Sequence, residues 1–112
     1  MKAAIPVYQG QLAAHFGHCE QFALFEVDCD TGSVEEIDTL SAPPHQPGLL
    51  PRWLREKGAE CIIAGGMGRR AQQLFAQDGI RVIVGAPTMP PQDVAQQFAA
   101  GELETGDNIC DH

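Results

Sequence analysis

Hydrophobic residues along this chain fall into short blocks of two periods, punctuated by glycine and proline. Lys2 to Val7 is a brief apolar run that ends in turn-like residues, a candidate central strand. From Gln21 to Asp28 the pattern alternates, with Phe22, Leu24 and Glu26 on one side and Ala23, Phe25 and Val27 on the other. Asp30-Thr31-Gly32 then supplies turn chemistry, and alternation resumes through Val34, Glu36, Asp38 and Leu40, so this stretch predicts a hairpin. Leu49, Leu50, Trp53 and Leu54 recur at helical spacing, with Gly58 placed as a stop. Cys61 to Ala64 reads as a buried strand running into Gly65-Gly66-Met67-Gly68. A helix follows, with Ala71, Leu74 and Phe75 on one face and Gly79 closing it. Ile80 to Val84 is the last strand, and Pro90-Pro91 opens a final helix that carries Val94, Ala95, Phe98 and Ala99 and ends at Gly101.

The element order is therefore βββαβαβα: one α/β domain with five mixed strands and three helices. It spans residues 1–104, followed by a tail, 105–112, that contains Cys110-x-His112. With the first strand central, the hairpin falls on one side of it and the last two strands on the other. The loop from Tyr8 to Glu20, the loop carrying His45, the turn Gly65–Gly68 and the turn Gly85–Pro87 then all emerge at the carboxyl end of the first strand. Open α/β sheets bind ligands at that edge, where the winding direction switches.

Composition narrows the function classes. At 112 residues with 44% hydrophobic content, the chain is long enough to bury one core without disulfides or structural metal. A formal charge of −8 argues against nucleic acid, whose binding is dominated by Lys and Arg contacts to phosphate. No apolar run approaches the length of a membrane span, and the first residues are too short a run for a signal peptide, so a cytoplasmic location is expected. The four cysteines, at 19, 29, 61 and 110, form no C-x-x-C pair, which fits free thiols in a reducing compartment.

The candidate chemistry lies in loops. All four histidines, His15, His18, His45 and His112, stand in loop-like or terminal stretches, and His18 abuts Cys19. Imidazole and thiolate are the donors that borderline and soft metals and iron–sulfur assemblies prefer. Each histidine taken singly also reads as ordinary solvated surface. His15 and His18 are three residues apart, which puts two donors on one face if the segment turns helically. Gly17 between them gives room for a bulky ligand. His15, His18, Cys19, His45, Cys110 and His112 are thus the candidate metal ligands. A structural zinc needs four committed ligands at familiar spacing, and this set does not supply them.

The turn Gly65-Gly66-Met67-Gly68 leads from strand to helix and offers free N–H groups to an anion. Arg69 and Arg70, at the positive end of the helix dipole, are unfavourable there unless something negative binds. The same glycines also serve a tight turn and close helix packing. Enzyme signatures are scarce. The central strands carry no carboxylate, serine occurs only at Ser33 and Ser41, and no third group orients a Cys19–His dyad.

Taken together, the opening MKAAIPV, HFGHCEQF over 15–22, IIAGGMGRRA over 62–71, GIRVIVG over 79–85 and the terminal CDH make the chain similar to one family. It resembles the dinitrogenase iron–molybdenum cofactor biosynthesis family, the small NifX-type domains also found fused to NifB-type cofactor synthases. The resemblance implies a ribonuclease-H-like α/β fold and a non-enzymatic role in binding the iron–molybdenum cofactor or an iron–sulfur precursor and passing it on. It implies cofactor-assembly proteins or an apo-metalloenzyme as partners. The family's favoured cluster ligand, the histidine of the H-F-G segment, matches His15. Gly17, His18, Gly65, Gly66, Gly68, Arg69 and Arg70 complete the expected cluster-binding set. The alternative expectation is a small anion-binding regulator or enzyme that uses the same crevice without metal.

Overall fold

The computed structural model describes residues 1–43 and 48–105 of the chain. Its sheet is built on the apolar run at the amino terminus, β1 (Lys2–Tyr8), whose residues Ala3 to Val7 are buried on both faces. After β1 come β2 (Gln11–Leu12), β3 (Gln21–Asp28), β4 (Ser33–Ser41), α1 (Leu49–Glu56), β5 (Cys61–Ile63), α2 (Arg69–Gln77), β6 (Arg81–Ile83) and α3 (Pro91–Ala100). The strand order is β4-β3-β1-β5-β6, with β3 antiparallel to both β1 and β4, and with β5 and β6 parallel to β1. This is the arrangement that the sequence pattern predicts, with β1 at its centre. The helices lie on both sides. Val94, Ala95 and Ala99 of α3 share one core with Ile5, Phe25, Val27 and Ile63. Leu50 and Leu54 of α1 and Phe75 of α2 share the other with Ala4, Phe22, Leu24 and Ile62.

Local chemistry explains the element ends. Gly58, Gly79 and Gly101 follow α1, α2 and α3 with φ of 90°, 77° and 74°, a conformation in which a Cβ is costly, so each helix stops where its glycine stands. The Arg55 guanidinium donates to the Asp78 carbonyl and ties the ends of α1 and α2 together. None of the helices among the described residues is long and apolar enough to cross a membrane.

Three expectations need correction. The sheet has six strands, because residues 8–20 are not one open loop. Gln9 and Gly10 take positive φ, 53° and 80°, and make a two-residue turn that folds Gln11–Leu12 back onto β1 as β2. The alternation of β4 also does not keep one face. Leu24 pairs with Asp38 and Phe25 with Glu36, so Ile37 is an extra residue in a β-bulge. The bulge reverses the face: Val34 packs on the α3 side, while Leu40 packs on the side of α1 and α2. The last two strands are shorter than expected, ending at Ile63 and Ile83.

Candidate functional site

The segment Ala13–Glu20 is fixed to the sheet by its backbone. Ala13 N–H donates to the Pro6 carbonyl (2.9 Å), and Glu20 N–H to the Val7 carbonyl (2.8 Å), so both ends are held on β1. Between them, Phe16–His18 forms a single 3₁₀ turn with His15 just before it. Phe16 anchors that turn. Its ring is buried, 5.4 Å from Phe75 edge-on and 6.1 Å from Phe22, centroid to centroid. The turn then leaves His15, Gly17 and His18 exposed, with the two imidazole centroids 5.6 Å apart. The spacing of three therefore does what a helical turn requires: one apolar residue is held down and both imidazoles meet outside.

The glycine turn after β5 is stapled to this segment. Phe16 N–H donates to the Gly66 carbonyl (2.8 Å), Gly66 N–H to the Ala14 carbonyl (2.7 Å), and His15 and Gly66 form a parallel bridge. A Cβ on Gly65 would lie 2.9 Å from the carbonyl oxygens of Ala13 and Ala14, so glycine is what lets the two segments touch. On the other side, Gly85 N–H donates to the Gly65 carbonyl (2.6 Å) and ties in the turn after β6. Three connections thus meet at the carboxyl edge of the parallel strands, as the topology predicts.

Two adjoining hollows open there. One, of about 440 Å³, lies among Tyr8, Ala13, Ala14, His15 and His18. The other, of about 200 Å³, runs between Ala14, Gly65 and Gly66 on one side and Gly85 to Thr88 on the other. Tyr8 was not anticipated. It ends β1 beside the two-residue turn and is 45% exposed, and the turn that turns it toward the histidines has no glycine at its first position to announce it.

The remaining candidates separate. Gly68 lies just before α2, and Arg69 and Arg70 are exposed in its first turn, but none of the three lines the 200 Å³ hollow. Cys19 follows the 3₁₀ turn yet packs against the apolar core beside Phe16 and Phe22. Burial pushes its thiol up to about 11, with a backbone N–H bond pulling the other way, so the side chain is a neutral thiol at neutral pH. Cys61 is core, as its strand position predicts, and Cys29 sits in the exposed β3–β4 turn. His45, Cys110 and His112 lie outside the described residues. Among the described residues, no three His, Cys, Asp or Glu side chains gather closely enough to hold a metal ion by themselves.

A family model described as dinitrogenase iron-molybdenum cofactor matches residues 1–101. The chain belongs to that family. An uncharacterized protein of Methanocaldococcus jannaschii is 32% identical over 107 residues, which cover 93% of this chain and 90% of that one. The crystal structure of PH0822 superposes with a TM-score of 0.83 at 28% identity, over 94% of each chain. The apo form of the orange protein from Desulfovibrio gigas superposes with a TM-score of 0.67 at 21% identity, over 96% of this chain and 93% of that one, a likeness of fold alone. Within this family member, the segment from His15 to Phe22 and the turn from Gly65 to Gly68, far apart in sequence, build one edge.

Proposed function

We propose that this protein binds an iron–sulfur or iron–molybdenum type metallocluster, or its precursor, as cargo and passes it on during cofactor assembly or delivery. The observation that carries the reading is the exposed pair of His15 and His18, 5.6 Å apart on one braced turn above an open hollow. Imidazole is a suitable donor for iron. Family membership, whose name is that of the iron–molybdenum cofactor, directs the reading to that class of cargo. Few donors on a firm scaffold suit cargo larger than a single ion that must later leave. A resident structural metal is held instead by a closed set of ligands.

In this reading His15 and His18 ligate the cargo, Gly17 leaves it room, and Gly65 and Gly66 form the floor beside them. Gly68, Arg69 and Arg70 meet its negative charge from the first turn of α2. Cys19 joins only if the cargo displaces the thiol proton, as metal binding to cysteine requires. His45, Cys110 and His112 are further candidate donors, and the partners are cofactor-assembly proteins or an apo-metalloenzyme.

Anaerobic incubation with iron and sulfide, followed by absorption spectroscopy and iron analysis, tests the proposal. The wild type is expected to take up a cluster, and His15→Ala to bind it at least about tenfold more weakly, a loss of about 1.4 kcal/mol, with the fold intact. Unchanged occupancy in the variant removes His15 from the site. Absence of any uptake by the wild type refutes the carrier reading and leaves a metal-free use of the crevice.

A further inference from the structure

The longest strand of the sheet has no part in the site described above. β4 is an edge. It pairs with β3 on one side, and among the described residues no strand pairs with the other. Seven of its nine residues are exposed; the Thr39 N–H is taken by the Asp38 carboxylate (2.8 Å), and the remaining outward N–H and C=O groups stand open to a further strand. Three features decide what kind of strand fits.

Charge is the first. Glu35, Glu36 and Asp38 crowd this strand, and no Lys or Arg occurs between Ser33 and Ser41. Because of the bulge, Glu36 lies on the α3 face and Asp38 on the opposite one, so a paired strand meets acid on both faces. A second copy is a poor partner: antiparallel pairing about Ile37 would set Glu36 opposite Asp38 twice, and like charges directly opposite are destabilising. The second feature is Ile37, which is 47% exposed at the bulge and gives an apolar contact amid the acids. Direction is the third. The carboxyl end of β4 reaches the His15–His18 edge, where Ser41 pairs with Gln21 and Ala42 N–H donates to the Glu20 carbonyl (2.9 Å).

We propose that the outer edge of β4 is a docking strip for an extended, basic segment of a partner protein, added to the sheet as a further strand. Acidic side chains and a bulge are devices by which edge strands avoid pairing with their own kind. They do not repel a strand rich in Lys or Arg. Such a partner gains backbone hydrogen bonds from the edge and specificity from the acids. It is led along β4 to the end of the sheet where His15 and His18 stand. The inference needs no cargo, so its failure leaves the carrier reading untouched.

Isotope-labelled protein titrated with a short blocked peptide alternating Lys and Val tests it. Amide shift changes are expected in residues 33–41 and in their β3 partners, with slowed hydrogen exchange along β4 and weaker binding as salt rises. The triple variant Glu35→Lys, Glu36→Lys, Asp38→Lys should bind this peptide at least about tenfold more weakly and take up a Glu–Val peptide instead. A Lys–Val peptide N-methylated at alternate residues keeps its charge but loses ladder donors, and is expected not to bind. The proposal is overturned by equal binding of the methylated peptide or by shift changes centred away from β4. It is also overturned by no shift changes at all, or by a dimer in sedimentation that the triple variant abolishes.

Discussion

Gly65 is where the packing of this site is most exposed to a single methyl group. A Cβ there would stand 2.9 Å from two carbonyl oxygens, those of Ala13 and Ala14. Both belong to backbone held at Pro6, Gly66 and Met89, so neither oxygen swings aside as a side chain would. Gly65 is not among the glycines with positive φ, so the penalty of Gly65→Ala is steric rather than conformational. Overpacking costs about 1–3 kcal/mol, and loosening the Phe16–Gly66 and Gly66–Ala14 hydrogen bonds adds about 1 kcal/mol each. The stiffer unfolded chain returns about 0.4–1 kcal/mol, which leaves a net loss of about 2–5 kcal/mol.

For a domain of this size, that loss lowers Tm by about 10 °C or more. Thermal unfolding followed by circular dichroism measures it, with Gly17→Ala as the comparator. An added Cβ at Gly17 meets nothing within 4 Å and needs no positive φ, so its Tm should stay close to wild type. Cluster binding should order the two variants differently. Gly17→Ala keeps the fold and crowds the cargo, whereas Gly65→Ala disturbs the staple itself. Equal Tm values for Gly65→Ala and wild type would refute the claim that close contact at Gly65 holds the site together.

Three further outcomes are expected. Replacing Arg69 and Arg70 with Gln should weaken cluster uptake and flatten its salt dependence; identical affinities at low and high ionic strength in both proteins would make these arginines ordinary surface residues. Burial raises the thiols of Cys19 and Cys61 to about 11 from an ordinary 9.0, so the folded state holds their protons longer than the unfolded one. Stability carries no such loss below pH about 9, should fall as pH rises from about 9 to 11, and should fall less steeply in Cys61→Ala, as denaturant melts at stepped pH would show. Deleting residues 110–112 should leave the Tm of the cargo-free protein unchanged and speed anaerobic cluster release; equal release rates would deny Cys110 and His112 a ligand role.

The sheet was legible because its central strands bury both faces. Ala3 to Val7 and Phe22 to Val27 carry apolar residues at even and odd positions alike, and such a strand belongs at the centre of a sheet with helices on each side. Helix ends were legible from Gly58, Gly79 and Gly101, because each sits where only glycine turns cheaply. What escaped had no such marker. Along the chain the bulge leaves only a weak trace, the adjacent Glu35-Glu36 and an Ile37 out of phase with Val34 and Leu40, which does not by itself show the change of face. The Gln9–Gly10 turn puts glutamine in a position that Asn, Asp or Gly usually fills, and two residues of β2 are too few to show a period. Tyr8 was missed for that reason. The pairing of His15 with His18 was readable from their spacing, but the neutral state of Cys19 was not, since it depends on rings brought from β3 and α2.

In the proposed site, four consecutive residues separate holding from binding. In His15-Phe16-Gly17-His18 only Phe16 is buried, and its ring meets Phe22 of β3 and Phe75 of α2, elements from both halves of the sheet. That contact and the Gly66 staple fix the turn through the Phe16 ring and the backbone. A histidine that carried packing would be conformationally restricted but denied to cargo; one on an unanchored loop would be free but would lose entropy on every binding event. Here the turn is ordered in advance by an aromatic anchor, so under the proposed carrier role the backbone would need little further ordering when cargo binds. In the proposed reading, coordination by so few donors would stay weak enough to reverse, which a carrier requires and a storage or structural site does not. The imidazoles and the edge of β4 meet at one end of the sheet yet share no side chain, so if both proposals hold, the scaffold would not dictate the order in which cargo and partner bind.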